Sequence, residues 1–340
     1  MITFITWLRC FAAMLITNAH YTGIYPTDLI ANGGLIGDIL FFSVSGYCLT
    51  NIKTSFWKWY GKRVSRILPA VILITIIYAV FGQYDLKHYA SGTEKTLLHT
   101  LLSTVGIEYP KWLSWFIYPT CYHFVGSILV LYIPYYIIMK SDWIRKYIPA
   151  VMGIIFVMYV ACYVFVYDKS YYHIDTVREP MIRFLFMESM LLGAWFKLDD
   201  EKLRNNGRAW VYSVGTVIAF GGYFVSKIFF SRGSLANFQV VNQVIIFILL
   251  YLVFRWFSCI DRHLEKAPEW LKQLVGLVAK LTLEIYLVQY VLIDVMENMK
   301  LFFPLNWLVL TALIVVSAFV LHTVVDLGLK QAAKLIMKGK

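Results

Sequence analysis

The chain is 340 residues long, 60% hydrophobic and only 15% charged, with a mean hydropathy of +0.66. Soluble domains carry about one quarter charged residues, so this composition excludes an ordinary water-soluble globule and describes an integral membrane protein. The net charge of +11 is spread over alternate loops rather than massed in one patch, which speaks for membrane topology and against a nucleic-acid partner.

Hydropathy divides the chain into about ten apolar segments, each near the ~20 residues needed to span hydrocarbon. They lie at 3–20, 35–52, 66–83, 113–139, 147–167, 181–197, 209–229, 238–258, 274–293 and 305–328. The expected fold is therefore all-α: a single transmembrane domain over 1–340, with about ten helices in one bundle. The first segment lacks a small-residue cleavage site and carries Arg9, so it reads as retained rather than as a cleaved signal peptide. The stretch 97–107 is too short to span and reads as interfacial or re-entrant. The longest outer loop, 84–112, suits either a wall around a substrate entrance or a plain surface loop.

Most of the 31 Lys and Arg residues fall on one side of this arrangement. Loop 53–66 holds Lys53, Lys58, Lys62, Arg63 and Arg66 without an acid. The same side takes Lys140, Arg145 and Lys146, then Lys197, Lys202, Arg204 and Arg208, then Arg255, Arg262, Lys266 and Lys272, and the basic tail. By the positive-inside rule, both termini are cytoplasmic. No linker or internal repeat interrupts the pattern. The five cysteines are scattered, with no CxxC pair and no metal-ligand spacing, so no metal is expected.

The residues able to carry chemistry begin in the first segment. Arg9 and His20 stand roughly 16 Å apart along a helix at about 1.5 Å per residue. Ionisable groups inside a membrane helix are costly, which makes the pair a functional candidate; the alternative is a snorkelling Arg and a His that only marks the helix end. His20 suits a base that takes a proton from an attacking hydroxyl, and Arg9 a cation that stabilises negative charge. Arg63 and Arg66 share a helix face. Arginine's planar fork suits a phosphorylated cytosolic donor, against the plainer reading of lipid-headgroup contact. Further polar groups are Asp38, His123, Arg183, Glu188, Lys280, Glu284, His322 and Asp326. Lys280 with Glu284, and His322 with Asp326, have the i,i+4 spacing of self-neutralising pairs. Trp112, Trp115, Tyr118 and Tyr122 fit an aromatic belt or a sugar-stacking surface.

Five motifs in order resemble the family-three membrane acyltransferases, which include bacterial O-acetyltransferases of cell-surface polysaccharides. They are Arg9 and His20; Gly34 and Gly37 followed by Phe41-Phe42-Ser43-Val44-Ser45-Gly46-Tyr47; Arg63, Arg66, Ile67 and Pro69; Trp115-Phe116; and TLEIYLVQ at 282–289. The resemblance implies acyl transfer in the bacterial plasma membrane from cytoplasmic acyl-CoA, acetyl-CoA first among the donors, to a hydroxyl of a cell-surface or lipid-linked carbohydrate. It implies that His20 is catalytic, that Arg9 supports the acyl group or donor, and that Arg63 and Arg66 engage coenzyme A. A homo-oligomer is compatible with it. Two positions depart from the family pattern. Gln289 stands where the family often carries a His, and Asp38 is shifted by one position, about 100° around its helix. No esterase-like domain follows the last segment, so transfer is expected to finish in the membrane domain or through a separate partner. The rival reading is a transporter or flippase for polysaccharide or lipid-linked sugar, which has no need to align Arg9 and His20 with a cytoplasmic Arg-x-x-Arg face.

Overall fold

A computed structural model describes residues 3–80, 123–165, 181–199, 208–231, 233–297, 299 and 301–338. Trp112, Trp115, Phe116, Tyr118 and Tyr122, the stretch 97–107 and the loop 84–112 lie outside the described residues, as does the side chain of His123.

The described regular structure is helical: α1 (Thr3–Ala19), α2 (Gly34–Leu49), α3 (Phe56–Val80), α4 (His123–Lys140), α5 (Asp142–Lys146), α6 (Ile148–Phe165), α7 (Met181–Leu198), α8 (Ala209–Phe230), a 3₁₀ turn (Gly233–Phe238), α9 (Val240–Cys259), α10 (Asp261–Glu265), α11 (Glu269–Lys280), α12 (Thr282–Glu297) and α13 (Leu305–Lys338). The described part of each expected apolar segment is thus largely helical, the segment 274–293 as two helices. Among the described residues, four helices rather than the expected ten are long and apolar enough to cross a bilayer: Ile148–Phe165, Ala209–Phe230, Val240–Cys259 and Leu305–Ala332, or five if the bent pair α11 and α12 is one span. They present Ile154, Val157, Val217, Ile218, Ile228, Val316, Phe319 and Val320 outward, a large exposed apolar surface that suits lipid rather than water. Thr3–Ala19, Gly34–Leu49 and Phe124–Lys140 are apolar but shorter.

The expected span 274–293 is not one straight helix. Helices α11 and α12 meet at a bend of 73°. Thr282 Oγ1, at the break, donates back to the carbonyls of Ala279 at 2.9 Å and Val278 at 3.3 Å, the side-chain competition that bends helices. Helix α11 is also amphipathic. It buries Val275 and Ala279 while Glu269 and Lys272 pair at 2.7 Å on its outer side, a pattern suited to an interface rather than a crossing.

The described chain forms two compact units that interleave in sequence. One comprises Met1–Ala12, Leu35–Thr54 and Ser127–Val275, the other Ala13–Gly34, Ser55–Gly126 and Gly276–Lys340. In the first, α8 runs against α9, and α7 packs on α6 and α9. Two interior polar pairs tie it together: Arg255 Nη2 donates to Tyr212 Oη at 2.6 Å, and Asn242 Nδ2 to Ser226 Oγ at 2.7 Å. The orphan N–H of Phe4 at the start of α1 donates to Asp261 Oδ1 at 2.7 Å, a carboxylate at the positive end of a helix. Helices α2 and α7 cross with their backbones in contact through Gly46 and Gly193, while Phe42 and Phe186 stack with centroids 4.2 Å apart. Asp38 is buried in α2, and Glu188, buried in α7, has an Oε1 without a hydrogen-bond partner among the described residues.

In the second unit, α3, α12 and α13 pack on one another. Tyr78 near the end of α3 donates to the Leu287 carbonyl of α12 at 2.8 Å, which fixes the level at which these two helices meet.

Candidate active site

His20 sits in the turn that ends α1, its N–H bonded to the Thr17 carbonyl at 3.1 Å. The segment after it is tied down from three directions. Asn18 Nδ2 donates to the carbonyls of Ile30 at 2.8 Å and Asn32 at 2.9 Å, and Tyr25 Oη donates to Asn18 Oδ1 at 2.6 Å. Asn306 Nδ2 donates to the Ile24 carbonyl at 2.7 Å. Tyr21 Oη meets Thr311 Oγ1 of α13 at 3.0 Å, and burial pushes this phenol up to about 12, so it stays a neutral donor-acceptor. The left-handed backbone at Gly23 (φ 77°) and Gly33 (φ 100°) turns the loop back on itself, a conformation open to glycine without strain. A side chain held by a clamp of this kind keeps one orientation, as a catalytic group must.

The imidazole meets α12. His20 Nε2 lies 3.3 Å from Tyr290 Oη, the two rings 4.8 Å apart at 61°. Tyr290 in turn stands edge-on to Tyr286 at 5.8 Å, and Tyr286 packs on Phe124 at 5.5 Å. Sequence reasoning stops at Gln289 and misses Tyr290. The available signal is two tyrosines four apart on one helix face. Asn18 and Asn306 carry no local signal, since their partners are set by the fold.

Arg9 lies half-buried on the first part of α1, in the other unit from His20. Arg63 and Arg66 share α3, but the fold gives them different surroundings. Arg63 is half-buried, its guanidinium 5.1 Å over the ring of buried Trp59. Arg66 is exposed and continues the exposed Lys58 and Lys62 at four-residue steps, so the basic face of α3 is Lys58, Lys62 and Arg66. Arg66 and Tyr78 stand about 18 Å apart along α3 at the helical rise. The basic face and the His20–Tyr290 contact therefore belong to different levels of one unit.

One expected local pair, Lys280 with Glu284, gives way to a long-range pair, while His322 and Asp326 keep a longer contact. Lys280 is exposed at the end of α11, and Glu284, beyond the bend, is buried. His322 Nδ1 of α13 lies 2.7 Å from Glu284 Oε1, a hydrogen bond in which a carboxylate is the acceptor. His322 Nε2 stands 4.0 Å from Asp326 Oδ2, beyond hydrogen-bond reach. No group of three or more His, Cys, Asp and Glu able to hold a metal occurs among the described residues.

The sequence matches the family described as "Acyltransferase domain" over residues 2–324. Two curated relatives are similar over shorter stretches. YrhL of Bacillus subtilis, provisionally named a peptidoglycan O-acetyltransferase, is 31% identical over 97 residues, 25% of this chain and 14% of that protein. The peptidoglycan O-acetyltransferase OatA of Listeria monocytogenes is 38% identical over 63 residues, 15% of this chain and 10% of that protein. The chain thus spans well under two thirds of either relative's length in these matches. No solved structure matches.

Proposed function

The chain belongs to the family 3 acyltransferases, and from that premise we propose that it moves an acetyl group from cytoplasmic acetyl-CoA to a hydroxyl of a cell-surface or lipid-linked carbohydrate. The observation that carries this reading is the clamped His20 with its Nε2 toward Tyr290. The names of the two relatives favour a glycan acceptor. The proposed setting is a bacterial plasma membrane with both termini cytoplasmic, which accords with the basic loops.

His20 takes the proton of the acceptor hydroxyl as its oxygen attacks the thioester carbonyl. The tetrahedral oxyanion collapses, the carbon–sulfur bond breaks, and the departing thiolate takes the proton back from the imidazolium. Tyr290 orients the ring. Arg9, about three turns earlier on α1, provides a fixed positive charge toward the donor. Lys58, Lys62 and Arg66 form the face that holds the phosphates of coenzyme A, with Arg63 beside them over Trp59. The ~18 Å from Arg66 to the level of Tyr78 is comparable to an extended pantetheine arm, which would carry the thioester toward His20.

The test uses purified protein in nanodiscs, with acetyl-CoA binding measured by calorimetry and transfer to glycan fragments by mass spectrometry. His20→Ala should lower turnover about 10²- to 10⁴-fold and leave acetyl-CoA affinity unchanged. Lys62→Ala/Arg66→Ala should weaken binding about tenfold or more, as expected for lost charge-assisted contacts. Full turnover in His20→Ala would sink the assignment of the base; a parent that binds no acyl-CoA would sink the donor.

A further inference from the structure

Gln289 is completely buried in α12, yet neither its Oε1 nor its Nε2 has a hydrogen-bond partner among the described residues. A buried carboxamide offers two donors and an acceptor, and leaving all of them unmet costs folding free energy that an apolar side chain of the same size would not. Such groups are few in native structures, and each calls for a partner that the resting protein fold does not supply.

The location of this amide is specific. Gln289 is the sequence neighbour of Tyr290, whose hydroxyl meets His20. Tyr286 lies three residues before Gln289 and four before Tyr290, so it neighbours both on the surface of α12, with Gln289 and Tyr290 about 100° apart around the helix. A second unmet group lies on α1: Thr17, whose backbone carbonyl accepts from the His20 N–H, has a buried Oγ1 without a partner among the described residues. A threonine hydroxyl inside a helix ordinarily bonds back to a carbonyl one turn earlier. Unpaired donors and acceptors thus stand one residue from Tyr290 on α12 and three residues before His20 on α1.

Resting on the acetyltransferase reading, we propose that Gln289 is a catalytic residue whose Nε2 donates to the thioester carbonyl oxygen and holds the oxyanion formed when the acceptor attacks. Its Oε1 accepts from a second hydroxyl of the carbohydrate, which orients the attacking one. The amide is the kind of preorganised neutral donor that stabilises an oxyanion without being neutralised by it. Where the family often carries a His, an imidazole N–H would fill the same place.

The experiment compares parent, Gln289→Met and Gln289→His in nanodiscs, reading thermal midpoint together with kcat and KM for acetyl-CoA. Methionine keeps the volume and removes every hydrogen-bonding group. The expected result is an unchanged or higher midpoint for Gln289→Met, with kcat lower by about 10²- to 10³-fold and KM little changed. Gln289→His should recover part of that rate. A Gln289→Met variant that turns over like the parent overturns the assignment. So does one whose midpoint falls by several degrees, since the amide would then be serving the fold. A parent that transfers no acetyl group overturns the acetyltransferase reading itself, and an active parent with an active methionine variant overturns the oxyanion role alone.

Discussion

Gly193→Ala should leave little folded protein to extract from the membrane. A Cβ at Gly193 would land inside the van der Waals radius of the Ser43 carbonyl oxygen, and one at Gly46 would do the same to the Met190 carbonyl oxygen. Neither obstacle is a side-chain tip that can swing aside. Relief requires the two backbones to separate, which would unstack Phe42 from Phe186 and stretch the 2.6 Å hydrogen bond from Tyr135 Oη to the Gly46 carbonyl. Overpacking of this kind costs about 3 kcal/mol or more, and close helix approach through small residues is a main source of cohesion where lipid competes equally for apolar surface. Gly153 in α6 is the control, because nothing lies within 4 Å of the point a Cβ there would occupy. Gly153→Ala should be neutral or stabilising by up to ~1 kcal/mol. Monodisperse yield on size-exclusion chromatography after detergent extraction separates the outcomes. Equal yields for the two variants would show that the crossing tolerates separation.

His322→Leu should destabilise the protein far more than the double variant Glu284→Leu/His322→Leu. In the single variant, the Glu284 carboxylate keeps its burial, with a side chain only 9% exposed, and loses the one donor described for it. Removing one partner of a buried pair costs about 3–5 kcal/mol, whereas replacing both by apolar groups is often close to neutral. A double-mutant cycle on thermal unfolding in detergent measures the coupling directly. Additive single and double effects would mean that the 2.7 Å contact between Nδ1 and Oε1 contributes nothing to the fold.

Several features of this protein are legible one helix at a time. The apolar runs locate helices in the described part of each expected segment, because hydrocarbon-length hydrophobicity is a local property of sequence. His20 reads as closing its helix, and the structure places it in the turn after Ala19. The basic run before Pro69 reads as a cationic helix face. In the structure that face is Lys58, Lys62 and Arg66, with Arg63 drawn aside over Trp59, because an aromatic one turn away competes for a guanidinium.

The misreadings share a cause. Lys280 and Glu284 have the spacing of a helical pair, but that rule presumes one continuous helix, and Thr282 bends the chain between them. Glu284 then finds His322, far along the chain, in preference to the exposed Lys280. Tyr290 and Asn306 are equally silent in the sequence, since their partners His20 and Ile24 lie some hundreds of residues away.

By itself, the sequence determined that this chain lives in a membrane, that it is built of helices, where those helices lie, and which family's motifs it carries. Each of these follows from composition, from hydrophobic length or from short ordered motifs. Only the tertiary structure decided which hydroxyl faces His20, which imidazole holds Glu284, and that Gln289 lies buried beside Tyr290 with its amide unmet. Those are pairings between helices, fixed by how side chains interlock after the chain has folded, and no periodicity within one segment encodes them.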